Sequence, residues 1–232
     1  MHRVLAAARL HLANPWICLG VPWLVVGSSF AINLLVFGST AAGDEPGTGA
    51  TGGLAALYVT VGVVCVQAVT QLMPFAMGVG LSRRTFFLGT SLFALAETLA
   101  FAVALTALDA VENATGGWGM GLDFWAPGRM DVGNPALQFL AYAGPMLACA
   151  VLGLGAGVVF KRWGALGMYG LAVTVSALTG GGVVLLSALH AWDDLWRWLG
   201  DASMSVLALG IPVATALVVG AFAFAGMRRV VP

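Results

Sequence analysis

Residues 54–108 read LAALYVTVGVVCVQAVTQLMPFAMGVGLSRRTFFLGTSLFALAETLAFAVALTAL, two continuous apolar runs (54–80 and 86–108) joined through the pair Arg83 and Arg84. Each run is long enough to cross the ~30 Å hydrocarbon layer of a bilayer, which takes ~20 apolar residues as an α-helix. Hydrocarbon offers a backbone amide no partner, so a spanning chain must form helices or a closed barrel. The runs are continuous rather than alternating at every second residue, which excludes the barrel. Paired arginines between them predict a helical hairpin that turns at one membrane face.

Four more runs lie outside this pair, at 16–38, 136–160, 165–189 and 203–227, so the chain predicts six transmembrane helices in a single all-α membrane domain covering 1–232. Composition agrees: 60% of the residues are hydrophobic, 9% are charged and mean hydropathy is +0.95. A soluble globule of this length needs far more polar surface. The basic residues cluster at Arg3 and Arg9, Arg83 and Arg84, Lys161 and Arg162, and Arg228 and Arg229; the acids Asp44, Glu45, Asp109, Glu112, Asp123, Asp131, Asp193, Asp194 and Asp201 lie in the alternate gaps. Basic side chains near helix ends resist translocation, which places both termini in the cytoplasm of a plasma-membrane protein and the acids outside, where they read as solvated loop charges. Arg129 and Arg197 depart from the pattern, each beside acids able to pair with it: Asp131 for the first, and Asp193, Asp194 and Asp201 for the second. Ser39 and Ala41 mimic a signal-peptidase site, but the preceding apolar stretch is about twice an ordinary signal core, so the run reads as a span. A net charge of zero gives no sign of a nucleic-acid partner.

Segment 2–13, HRVLAAARLHLA, places Val4, Leu5, Ala8 and Leu12 on one helical face, largely opposite His2, Arg3 and Arg9. That pattern predicts an amphipathic elbow helix lying in the membrane plane, ended by Asn14 and Pro15 because proline disfavours helical geometry in the residue before it. Pro22, Pro74, Pro145 and Pro212 are expected to kink their spans. Gly153, Gly155, Gly157 and Gly180 to Gly182 are expected to permit close helix packing, with a hinge as the alternative. The stretch 190–202, HAWDDLWRWLGDA, reads as a short helix at the outer surface, where tryptophan favours the headgroup level.

Catalytic and metal motifs are missing. The chain has no GxxxxGK[ST] loop and its one lysine, Lys161, follows valines and a phenylalanine, so it has no ATPase site of its own; it also has no HExxH. Ser28 or Ser29 with His190 matches a serine protease in residue type alone, and His190 with Asp193 and Asp194 reads as a charged surface rather than a metal site. Cys18, Cys65 and Cys149 read as packing thiols. The expectation is a non-enzymatic chain with no cofactor and no metal. Glu97 stands alone among the charges, inside a run. A carboxylate at mid-bilayer costs ~2.5–3.5 kcal/mol even on insertion scales, so it must be protonated, paired or facing water. In an antiparallel hairpin turning near Ser82, Gln67 lies at the depth of Glu97, with Gln71 one helical turn away. A Glu97–Gln67 bond is the expected lock, and a polar step on a substrate or proton path is the alternative.

Segment 80–90, GLSRRTFFLGT, joins a glycine, a serine cap, two arginines and Phe86 and Phe87 returning into the membrane. Together with the elbow, six spans, inside termini and a short outer segment before the last span, it resembles the type-2 ABC exporter permeases. The resemblance implies that this loop is a coupling helix docking on a separate cytoplasmic ABC ATPase, which would hold ATP and Mg. Ser82, Arg83, Arg84, Thr85, Phe86 and Phe87 would then form the coupling surface, with Lys161 and Arg162 beside it. It further implies a second permease subunit, identical or similar, and export of a hydrophobic or amphipathic substrate. The chain departs from the family in its very short first cytoplasmic arm and its longer loop after the third span. The rival reading is an ion-coupled secondary transporter or channel using Glu97; a non-transporting scaffold and a membrane enzyme rank behind it.

Overall fold

The computed structural model describes residues 2–39 and 51–227 and shows an all-α fold. Asp44, Glu45, Arg228, Arg229 and the side chain of Arg129 lie outside the described residues. The helices are α1 (His2–Arg9), α2 (Trp16–Ser39), α3 (Leu54–Gly78), α4 (Arg83–Ala114), α5 (Pro135–Ala188), α6 (Trp192–Asp201) and α7 (Ser205–Gly226). Among the described residues, five helices (α2, α3, α4, α5 and α7) are long and apolar enough to cross a membrane. The protein is therefore a multi-pass membrane protein, and exposed side chains such as Leu35, Leu166 and Phe222 have lipid as their natural solvent.

Five helices carry six runs because α5 contains two of them. Its 54 residues would measure about 80 Å if straight, far beyond one ~30 Å crossing. Gly164 breaks it, with φ 62° and ψ −150°, a conformation that side-chain-bearing residues avoid. The chain doubles back there: a Cβ placed on Gly167 would lie 3.2 Å from the carbonyl oxygen of Val159, eight residues earlier. The arm over residues 135–163 packs into the bundle, whereas the arm over 165–188 stays mostly exposed.

Glycines bring the packed arm against α3. Gly153 meets the Gly62 carbonyl, Gly62 in turn meets the Cys149 carbonyl, and a Cβ on Gly157 would sit 2.7 Å from the Cβ of Val69. Backbones at this separation leave no room for a side chain, which is how small residues hold helices together in lipid. Gly155 faces Val219 of α7. Gly180, Gly181 and Gly182 have no neighbouring atom within 4 Å, so the close packing expected of them does not occur within the described chain. Around the α3 and α5 crossing, Leu57, Val61, Met73, Leu105, Tyr142, Met146 and Leu154 form the core.

Three of the four span prolines follow a widened, π-helical turn. Trp16–Gly20 precedes Pro22, Ala68–Leu72 precedes Pro74, and Ser205–Gly210 precedes Pro212. In each case the proline stands two positions after the last π residue, at 22 against 20, 74 against 72 and 212 against 210. Proline brings no N–H and its ring collides with the carbonyl four residues back; a π turn relieves that collision without ending the helix. Pro145 stays inside a continuous stretch of α5.

Opposite the elbow, residues 115–134 form a cap built around one carboxylate. Glu112 is 3% exposed and accepts hydrogen bonds from Trp118 Nε1 (2.9 Å) and from the backbone N–H groups of Phe124 (3.0 Å) and Trp125 (2.9 Å). The Tyr142 hydroxyl donates to the Trp125 carbonyl at 3.0 Å, and Phe30 packs its ring against Trp118, Phe124 and Trp125. Asp109, 6% exposed, accepts from Asn113. The expectation of solvated loop charges is thus wrong for Glu112 and Asp109: aromatic rings exclude water, and protein donors replace it at Glu112. Arg197 does pair with Asp194, at 2.5 Å, on the exposed helix α6. Glu112→Ala would leave two buried backbone donors and the half-buried Trp118 indole without an acceptor, and we expect it to cost about 2–3 kcal/mol in a reversible unfolding titration. Glu112→Gln, which keeps one acceptor oxygen, should lose less.

Candidate functional site at the elbow

The turn after α3 is tight. Gly80 takes φ 84°, and Ser82 caps α4 by accepting from the Thr85 N–H at 3.2 Å. Arg83, Arg84, Thr85, Phe86 and Phe87 therefore form the first turns of α4 itself, and no separate helix lies between α3 and α4. Arg84 is exposed, while Phe86 and Phe87 are buried. Phe87 stacks on Phe224 of α7 at 5.3 Å. Close by, Gly226 packs against Val158, three residues before Lys161. The fold thus brings the Ser82–Phe87 turn and the Lys161–Arg162 turn to the same end of the molecule, where the Arg162 guanidinium lies 4.4 Å above the Trp163 ring.

The elbow is clamped to α4 just beyond those arginines. A Cβ on Gly89 would stand 2.5 Å from Ala7 Cβ and 2.9 Å from the Val4 carbonyl oxygen, so α1 rests on bare backbone. One turn of 3-10 helix, Leu10–Ala13, extends α1. There His11 Nε2 lies 3.0 Å from Thr90 Oγ1, and its ring stacks on Phe93 at 4.6 Å. The face packed on the protein runs through Val4, Ala7, Ala8 and His11, whereas Leu5 and Leu12 of the apolar face are exposed. The small side chains Ala7 and Ala8 lie over Gly89, where backbone meets backbone.

Between the elbow, α2 and α3 lies a cavity of about 230 Å³, with polar walls at His11, Asn14, Gln67 and Gln71 and a thiol at Cys18. Two of the π-helical turns border it, since Ile17 and Cys18 belong to the first and Ala68, Gln71 and Leu72 to the second. Gln67 and Gln71 are thus together as expected. Glu97 does not join them in a bond. It is 4% exposed and both carboxyl oxygens are buried without a hydrogen-bond partner, so the expected Glu97–Gln67 lock is absent. Its electrostatic neighbours are the thiols of Cys18 and Cys65. Among the described residues no group of three or more His, Cys, Asp or Glu could hold a metal ion.

His11, Thr90 and Gly89 were not singled out in the sequence. The available signal was the four-residue step Ala7 to His11 on the elbow, paired with the glycine and threonine at positions 89 and 90. Fold and site together define a multi-pass helical membrane protein with the general character of a transport protein. No protein-family model, no curated protein and no solved structure matches the chain.

Burial pushes the His11 pKa down from 6.5 to about 4, so the docked elbow holds a neutral imidazole. The released elbow binds the proton more readily than the docked one; docking is therefore strongest above pH 6.5 and weakens as pH falls towards 4. Hydrogen exchange of the amides at 4–13 should accelerate across that window in the native protein. In His11→Gln the exchange rate, corrected for its intrinsic pH dependence, should stay level.

Proposed function

We propose that the chain is the membrane-spanning permease subunit of an ABC-type exporter. It crosses the plasma membrane six times, the two arms of α5 counting separately, with both termini in the cytoplasm. Two such subunits, identical or similar, pair above two copies of a cytoplasmic ABC ATPase that holds ATP and Mg. The cargo is a hydrophobic or amphipathic molecule.

The observation that carries this reading is the clamp between the elbow and α4. Gly89 and the His11–Thr90 contact lie two turns from Arg83 and Arg84. A push on the Ser82 turn is therefore delivered to the elbow and, through Asn14 and Pro15, to α2. Phe87 on Phe224 delivers the same push to α7. A rigid path from one surface turn to three membrane helices is what a subunit driven from below requires. The coupling surface is then a helix end rather than a separate coupling helix.

Replacing Arg83 and Arg84 by Glu should leave the fold intact and the ATPase of the assembled complex active while cargo transport falls to background. Hydrolysis and transport that both survive the change would sink the coupling assignment. A second reading, ion-coupled transport, is favoured by the unpartnered Glu97 carboxyl. It requires that Glu97→Gln abolish uptake driven by an ion gradient in vesicles without ATP.

A further inference from the structure

We propose that the groove between the two arms of α5 and α7 holds an anionic phospholipid, with an acyl chain along the groove and the phosphate on Arg162. The groove encloses about 580 Å³, within the ~300–1,000 Å³ of sites that enclose a drug-sized ligand. It opens beyond the Gly164 turn, where the arms of α5 part. Gly167 still packs against Val159, but the arm over 165–188 is mostly exposed and gives the wall Leu171.

The shape selects a lipid chain. On the packed arm the lining runs from Leu152 to Arg162, about 15 Å of helix at ~1.5 Å per residue. That is half of the ~30 Å hydrocarbon layer, the depth of one leaflet. Val219 and Phe222 of α7 line the opposite side. Apart from Arg162 and the Trp163 indole N–H, the lining side chains are apolar or absent. A polar group in the middle of the groove would lose its water and gain no partner, whereas a hydrocarbon chain loses nothing there.

Charge selects the headgroup. Arg162 is exposed at one end of the groove, and its guanidinium lies over the ring of its neighbour Trp163 at 4.4 Å. Stacking occupies the flat face of the guanidinium and leaves its in-plane N–H fork for a phosphate. Trp163 is itself exposed, and tryptophan favours the headgroup level. No acid lines the groove, and among the described residues no carboxylate pairs with Arg162. Basic clefts between membrane helices take anionic headgroups on these terms. A second copy seated here about a two-fold axis would instead bring two Arg162 side chains to the same depth with no acid of the groove between them.

The inference goes beyond the transport reading and does not rest on it, because binding is read without ATP. The full chain, purified in detergent, is titrated with dioleoylphosphatidylglycerol and with dioleoylphosphatidylcholine, which share their acyl chains, and bound lipid is resolved by native mass spectrometry. We expect the phosphatidylglycerol to bind at least about fivefold tighter, the weight of one basic residue towards anionic lipid. Arg162→Gln should bring the ratio to about one. Arg9→Gln, which changes an exposed basic residue of the elbow outside the groove, should leave the ratio as it is. A preference that survives Arg162→Gln, or one lost equally in both variants, overturns the proposal, the second result by assigning the preference to diffuse surface charge. Ala225→Trp tests the acyl chain with Arg162 intact. Ala225 is exposed and lines the groove, so the indole fills the space with helical circular dichroism unchanged. Phosphatidylglycerol binding should weaken about tenfold as apolar contact is lost, and undiminished binding overturns the proposal. Dimers that exclude lipid and disappear in Ala225→Trp would place a second copy in the groove and overturn it as well.

Discussion

The three hydrogen bonds accepted by the Glu112 carboxylate hold together the cap over α2, α3, α4 and the packed arm of α5. Glu112 stands near the last turn of α4, and its donors come from a loop that has almost no regular structure of its own. Through Trp125 that loop reaches Tyr142 of α5, through Phe30 it reaches α2, and the backbone bond from Thr51 to Asp123 ties it to the start of α3. A buried carboxylate satisfied by several donors is far more costly to disrupt than a solvated one. Segments of α2, α3, α4 and α5 thus meet around one carboxylate.

The all-α, multi-pass character was legible because lipid imposes a strong, local rule on composition, and the apolar runs are helical almost throughout. The buried role of Glu112 was not legible. An acid in a stretch rich in glycine solvates by default, and only the convergence of Phe30, Trp118, Phe124 and Trp125 from separate segments removes the water. The elbow was legible as a helix, but its docking on α4 was not. Periodicity defines the apolar face, whereas docking on α4 runs through the close approach of Ala7 and Ala8 to Gly89. Glu97 was recognised as exceptional, and its depth relative to Gln67 was estimated from a symmetric hairpin. The π-helical turn at Ala68–Leu72 lies between Gln67 and the turn, adding a residue's worth of rotation that a symmetric count omits.

The prolines show how a sequence feature becomes a site. Each of Pro22, Pro74 and Pro212 forces its helix to widen just before it. Two of the widened turns lie in adjacent helices at similar depth, and the chamber opens between them. Its polar walls are side chains carried by or next to those turns. The cavity thus lies where two proline-associated π-helical turns face each other.

The two ends of the bundle consequently differ in kind. At the cap, buried Glu112 is matched by donors and the helix ends are mutually fixed. At the elbow, α1 and the turn that extends it are held by small-residue contact, the His11–Thr90 bond and the Cys18 thiol donating to the His11 carbonyl, and Glu97 is buried without a hydrogen-bond partner. A group left unsatisfied in a dry site raises the energy of the state that contains it. Any rearrangement or ligand that supplies Glu97 with a proton, water or a cation is favoured by that amount. The cap resists such a change and the elbow permits it. Under the proposed function, the clamped elbow and α4 move together at the poorly satisfied end, and the cap supplies the fixed end against which they move.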